Sequence, residues 1–356
     1  SISHDQHDQS QHEHCGGGHD STDWLLWICL ALTIILYITH LLPTGLTSEQ
    51  DWLGSAASSV FELMNTIWWG VLIGFLMICL LGKIPREFVI SALGTKPGLA
   101  GIWRATLAGV LLDLCSHGIL MVGARLYERG ASTGQVIAFL VASPWNSLSL
   151  TLVLIALVGL PWTLGFIVLS MLVALITGLV FDLLVSRGVL AANRNQVELP
   201  ADFAFVPQAK KHWQQADFNG EFFRTALVDG LHEARMVVRW ILFGVLLAAA
   251  VQSWVPEDIF STYFGPTFTG LLVTLGVATI LEVCSEGSTP LAADILNRAE
   301  APGNGFAFLM GGVATDYTEI MVLKDTMGSL KSALFLPLIT VPQVLLLGWL
   351  VNQLSV

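Results

Sequence analysis

Charge is what this chain lacks most: 12% of its 356 residues are Asp, Glu, Lys or Arg, against about 25% in soluble domains. With 54% of residues hydrophobic, that deficit excludes a soluble globular protein, and the chain reads as an all-α polytopic membrane protein. There is no basic patch to neutralise phosphates, so nucleic acid is not expected as a partner. There is no Gly-rich phosphate-cradling loop, so any drive from ATP would need another subunit. The five cysteines at 15, 29, 79, 115 and 284 are scattered and build no disulfide framework. The first residues have neither the basic region nor the small-residue cleavage site of a secretory signal, and the missing initiator Met fits a processed or trimmed start.

What is present begins with a polar tail. Residues 1–23 place His4, His7, His12, His14, Cys15 and His19 among carboxylates, with nothing apolar enough for a core. The expectation is a disordered segment that binds metal loosely, because the irregular spacing does not specify a folded zinc site. No resident cofactor is expected beyond a metal ion on this tail.

Apolar runs long enough to cross about 30 Å of hydrocarbon follow at 24–42, 60–82, 135–158, 161–186, 236–254, 305–323 and 332–354. Two further segments, 99–124 and 267–296, fit less well. A helix passing straight through lipid should not hold Asp113, His117, Glu282 and Glu286 at its centre without a cavity around them.

Those two segments are copies of one another. Asp113-Leu-Cys-Ser-His-Gly118 and Glu282-Val-Cys-Ser-Glu-Gly287 align at an offset of 169, which holds without a gap through Phe139/Phe308 to Gly159/Gly328. The duplication leaves two topologies. If both Cys segments cross fully, the repeats are parallel and basic residues fall on both sides. If both dip in and return, the repeats are inverted. On that reading Lys83, Arg86, Lys96, Arg104, Arg125, Arg129, Arg187, Arg194, Lys210, Lys211, Arg224, Arg235, Arg239, Lys324 and Lys331 share one side, with Arg298 alone outside. The positive-inside rule favours the second.

The expected fold is therefore two inverted repeats, each with a re-entrant or broken helical hairpin carrying a Cys-Ser-x-Gly core, plus one extra N-terminal span. The divisions are 1–23, the tail; 24–59, an accessory span and external loop; 60–186, the first repeat; 187–235, a cytoplasmic linker; and 236–356, the second repeat. The setting is a bacterial-type inner membrane with the N-terminus cytoplasmic. The unmatched first span offers an apolar surface for a homodimer without demanding one.

Cys115 and Cys284 lead the candidate residues, since thiolate selects soft metals and metalloids. Ser116, Ser285, Gly118 and Gly287 suit an unwound tip facing a cavity. His117 and Glu286 occupy one repeat position with different chemistry, so the site is expected to be pseudo-symmetric. Asp113 and Glu282 are matched carboxylates suited to proton relay. Ser143-Pro-Trp-Asn146 is matched by Gly312-Val-Ala-Thr-Asp316, where Pro144 or the Gly311-Gly312 pair is expected to open the helix. Asn146, Asp316 and Glu319 would then face the tips.

At these residues the chain resembles the predicted permease family that includes the ArsP-type arsenical efflux permeases. The resemblance covers about 60–354: the Cys-Ser-x-Gly core followed by Arg129-Gly-Ala, the run Ala138-Phe-Leu-Val-Ala-Ser-Pro-Trp-Asn146, and the second Cys-Ser half with Thr289-Pro-Leu. It implies export of trivalent organoarsenicals such as methylarsenite, with Cys115 and Cys284 as thiol ligands. Two other functions stay open. One is an exporter of Cu, Zn or Ni in which His117, Glu286 and the tail outweigh the thiols. The other is a membrane-embedded thiol enzyme for sulfur transfer or redox, with one Cys as nucleophile.

Overall fold

The computed structural model describes residues 24–42, 52–81, 98–111, 116–128, 130–142, 148–193, 220–281 and 285–355, and among them every regular element is a helix. They form α1 (Trp24–Leu41), α2 (Trp52–Leu81), α3 (Leu99–Leu111), α4 (Ser116–Glu128), α5 (Thr133–Ala142), α6 (Leu148–Val158) and α7 (Leu160–Ser186). The second part of the chain forms α8 (Gly220–Trp254), α9 (Glu257–Phe264), α10 (Phe268–Leu281), α11 (Ser285–Arg298), α12 (Pro302–Thr315), α13 (Tyr317–Met327) and α14 (Leu330–Ser355). Helix is what hydrocarbon demands, because backbone N–H and C=O groups find partners only within the segment. Hydroxyls follow the same rule: Thr106, Thr274 and Thr340, all buried, each donate to the carbonyl four residues back, at 2.9, 2.7 and 2.7 Å.

Among the described residues, five stretches are long and apolar enough to span: Trp24–Leu41, Trp52–Ile73, Leu160–Ser186, Pro302–Met327 and Leu330–Leu354. Val238–Trp254 and α9 together make a sixth candidate, bent by 114° between them. The bend falls at Val255-Pro256, where proline removes an N–H and excludes the preceding residue from helical geometry.

Several boundaries differ from expectation. Helix α2 starts at Trp52 rather than at 60, and α8 starts at Gly220, inside the expected linker. The expected span 135–158 is two helices, α5 and α6. The Gly311-Gly312 pair does not open its helix. It stays helical, the missing Cβ of Gly311 admitting the Leu275 side chain, and the interruption comes later, at Asp316.

Packing brings the two parts of the chain together in an ordered way. Helices α2 and α8 run antiparallel, with Trp52 against Trp254 at 6.3 Å and Val60 and Ile67 clustered with Ile241, Val245 and Ala249. Helices α7 and α14 also run antiparallel: Gln343 Nε2 donates to Thr177 Oγ1 at 3.0 Å, and Lys331 Nζ donates to the Val189 carbonyl at 2.8 Å. Helix α4 packs on α13, and α11 packs on α6. At the centre α5 is buried at every residue, and α12 at all but Gly312 and Thr315. Helix α1 lies at the edge, on α2 and α8.

The helix starts repeat. Those of α3, α4, α5 and α6 lie 169 residues before those of α10, α11, α12 and α13, and that of α7 lies 170 before that of α14. The tight connections α6–α7 and α13–α14 turn on Gly159 and Gly328, with φ of 86° and 63°, a region L side chains avoid.

Candidate functional site at the helix interruptions

Four helices end, and four begin, at the segments that carry the sequence motifs. Helices α3, α5 and α10 lead into 112–115, 143–147 and 282–284, and α12 leads into Asp316. Helices α4, α6, α11 and α13 start immediately afterwards. Asp113, Cys115, Asn146, Glu282 and Cys284 lie outside the described residues. So do the side chains of Ser116, His117, Ser285 and Glu286, whose backbones open α4 and α11. In the sequence, Cys115 and Cys284 immediately precede the described parts of α4 and α11.

The glycines of the cores are helical rather than unwound, since Gly118 and Gly287 sit in the first turns of α4 and α11. Gly287 has a packing reason. A Cβ on Gly244 of α8 would stand 2.5 Å from the Gly287 carbonyl oxygen and 2.9 Å from its Cα, so the two backbones touch. This contact holds the start of α11 against a long spanning helix. Pro290, inside α11, has no N–H to give the Glu286 carbonyl four residues earlier.

The second interruption is polar. Thr279 Oγ1 and Thr315 Oγ1 lie 3.0 Å apart, tying α10 to α12 just before both helices end. Asp316 leaves helical geometry with ψ of 121° and is half-buried. One turn on, Glu319 is 4% exposed, and among the described residues no donor bonds its carboxyl. At the same repeat position the first half has Leu150, a core residue 1% exposed. The Thr279, Asp316 and Glu319 positions correspond to Val110, Ser147 and Leu150, so the acidic chemistry here belongs to one half only.

Helix α11 reaches the other half through Asn297, whose Nδ2 donates to the Leu157 carbonyl at 3.2 Å. The far end of α11 is held by Arg298. Its guanidinium pairs with buried Asp294 at 3.1 Å, donates to the Val255 carbonyl at 3.2 Å, and stands 4.5 Å from the Phe260 ring centre. Gln252 completes the set by donating to Asp294 at 2.8 Å. Arg298, the one exception to the charge asymmetry, is thus a paired structural cation and not a free loop charge.

Among the described residues no three His, Cys, Asp or Glu side chains converge on a metal-sized site. His4, His7, His12, His14, Cys15 and His19, the expected tail ligands, lie outside the described residues. A cavity of about 450 Å³ is lined by Leu30, Thr33, Tyr37, Asn65, Trp68 and Leu242 among others, and none of its walls comes from an interrupted helix. The motif search missed Asp182, Asn304, Asn352 and the Thr279/Thr315 pair. Asp182 carried a usable signal, as an ionisable residue inside an apolar run.

A protein of Mycobacterium tuberculosis described as a candidate permease is 25% identical over 242 residues, covering 64% of this chain and 59% of that protein. A Streptococcus mutans protein described as a candidate subunit of a two-component membrane permease complex is 24% identical, covering 75% of this chain and 84% of its own length. YcgR of Bacillus subtilis, a UPF0718 protein, is 24% identical, covering 75% and 90%. The chain thus spans well under two thirds of the mycobacterial relative. No solved structure matches it. Two of these relatives are named as permeases, and residues 53–353 match one family throughout, so this multi-pass membrane protein belongs to the ArsP_1 family of predicted permeases.

Proposed function

We propose that the chain is a secondary-active efflux permease for a soft metal or metalloid, with trivalent organoarsenicals as its substrate class and the thiolates of Cys115 and Cys284 as ligands. One observation carries the reading: both cysteines stand two residues after a carboxylate and beside a serine, at sequence positions 169 residues apart that match one another. Ser116, Ser285, His117, Glu286, Asn146 and Asp316 complete the site in this reading. Asp113, Glu282 and Glu319 carry the coupling protons, and release follows when protonation of carboxylates and thiols weakens the complex.

The reading of the fold as inverted repeats is supported by the matched helix starts and by antiparallel packing of matched helices, α2 on α8 and α7 on α14. Reciprocal contacts support it too, because α4 on α13 is answered by α11 on α6, as a two-fold relation requires. Broken helices meeting between such repeats are how secondary transporters build midplane sites. The paired Arg298 removes the one exception to a cytoplasmic N-terminus.

A second reading, export of Cu, Zn or Ni, is favoured by the buried Glu319 beside Asp316, whose charge suits a cation. Binding of methylarsenite, arsenite, Cu(I) and Zn(II) to purified protein, with Cys115→Ser/Cys284→Ser alongside, separates the two. Loss of methylarsenite binding in the cysteine variant supports thiol ligation. Binding of Cu(I) or Zn(II) that survives it moves the site to the carboxylates and histidines.

A further inference from the structure

The interrupted helices have bases as well as tips, and the bases are built alike in both halves. Asp182, near the end of α7, accepts from the Gly134 N–H at 2.8 Å and from Ser132 Oγ at 3.0 Å, at the start of α5. The Gly98 N–H, immediately before α3, bonds the same carboxylate. One side chain therefore holds the N-terminal ends of both helices whose C-terminal ends lead into 112–115 and 143–147.

The second half does the same with amides. Asn352, near the end of α14, accepts from the Gly303 N–H at 2.7 Å and donates to Asn304 Oδ1 at 2.8 Å. Asn304 Nδ2 then donates to the carbonyls of Phe264 and Gly265, both at 2.8 Å, in the connection ahead of α10. This two-amide relay ties the starts of α10 and α12, the helices that lead into 282–284 and Asp316. Asp182 and Asn352 are 170 residues apart, as are the starts of α7 and α14.

Each base also has a backbone contact. A Cβ on Gly178 would stand 2.7 Å from the Gly134 carbonyl oxygen, and one on Gly348 would stand 2.8 Å from that of Gly303. No side chain separates α5 from α7 or α12 from α14 at these points, so the hydrogen bonds cannot slacken without moving whole helices. At 1.5 Å per residue, the tips lie about 15–20 Å from these bases, and the rigid helices act as levers.

We infer that Asp182 and the Asn352–Asn304 relay are positioning residues for the substrate site. They set the axial place of both tip-bearing helices in each half and touch no substrate themselves. The inference rests on the proposed function only in locating that site at the helix interruptions.

The test places spin labels at positions 111 and 281, the exposed C-terminal ends of α3 and α10, in a cysteine-free full-length chain in lipid nanodiscs. Asp182→Ala is expected to broaden and displace the 111–281 distance distribution. Asp182→Asn, which keeps an acceptor oxygen for the Gly134 N–H, should stay near wild type. Asn304→Ala should disturb it from the other side. In the cysteine-containing chain, Asp182→Ala is expected to lower kcat/KM for methylarsenite by about 10- to 100-fold, the size of effect that a 1 Å misplacement produces, with rescue by Asp182→Asn. If Asp182→Ala does not fold, Gly178→Ala decides, since its Cβ pushes α5 off α7 with Asp182 in place. Distributions in the variants that superimpose on wild type overturn the inference. Displaced distributions in a protein whose wild type moves no methylarsenite uphold the positioning role and overturn the substrate class instead.

Discussion

The two halves differ least where backbones touch and most where charge sits. Gly134/Gly178 and Gly303/Gly348 make the same close contact, and Gly159 and Gly328 turn with the same positive φ. Yet Asp182 is answered by Asn352, Leu150 by Glu319, and His117 by Glu286. Close packing tolerates no added atom, so the scaffold positions keep their glycines. A polar position in hydrocarbon needs only a satisfied partner or a function, so its chemistry can diverge once the halves do different work. The difference assigns scaffold to what is shared and chemistry to what is not.

The sharpest way to break this comparison is at the cysteines, which are shared yet proposed as ligands. Cys115→Ser/Cys284→Ser is expected to abolish methylarsenite transport in everted vesicles while the melting temperature stays near wild type. Normal transport by that variant would make the shared cysteines scaffold. Next come Glu319 and its counterpart. Glu319→Gln should retain substrate binding but lose uptake driven by an imposed pH gradient in proteoliposomes, whereas gradient-driven uptake at wild-type rates would remove Glu319 from coupling. Leu150→Glu should instead destabilise the protein, by about 3 kcal/mol for a charge placed near mid-membrane, as read by thermal unfolding in detergent.

Smaller effects test the scaffold. Arg298→Ala leaves buried Asp294 with Gln252 as its remaining described partner and should cost about 2 kcal/mol, less than the 3–5 typical of a fully buried pair because the guanidinium is partly exposed. Adding Asp294→Asn should recover most of that, and a double variant no better than the single would count against the pairing. Gly348→Ala should cost about 1–3 kcal/mol by overpacking. Gly276→Ala and Gly312→Ala, where a Cβ meets nothing within 4 Å, should be neutral or mildly stabilising. Smallest of all, deleting residues 1–20 is expected to leave methylarsenite transport within about twofold, since the proposed thiol ligands lie outside that segment. A large loss of apparent affinity would favour the cation reading.

Much of this was legible in the chain itself. The charge deficit and apolar runs are one-dimensional signals, and hydrocarbon converts them into helices because the backbone has no other way to satisfy itself. The alignment of the Cys-Ser-x-Gly cores and glycines at one offset was equally plain in the sequence. Periodicity could not say where a helix is interrupted. The Gly311-Gly312 pair suggested a break that comes instead at Asp316, because glycine in a helix is stabilised when a neighbour such as Leu275 fills the space.

Composition and apolar runs by themselves determined a polytopic helical membrane protein, and the sequence register set cysteines and carboxylates at matching positions. Only the tertiary structure decided that Asp182 bonds Gly134, that Asn352 reaches α10 through Asn304, and that Arg298 reaches the Val255 carbonyl and the Phe260 ring. These are contacts between residues tens of positions apart, each depending on where whole helices cross. No local pattern encodes a crossing, which is settled by the fit of glycine backbones and by the cost of leaving a polar group unpaired in hydrocarbon.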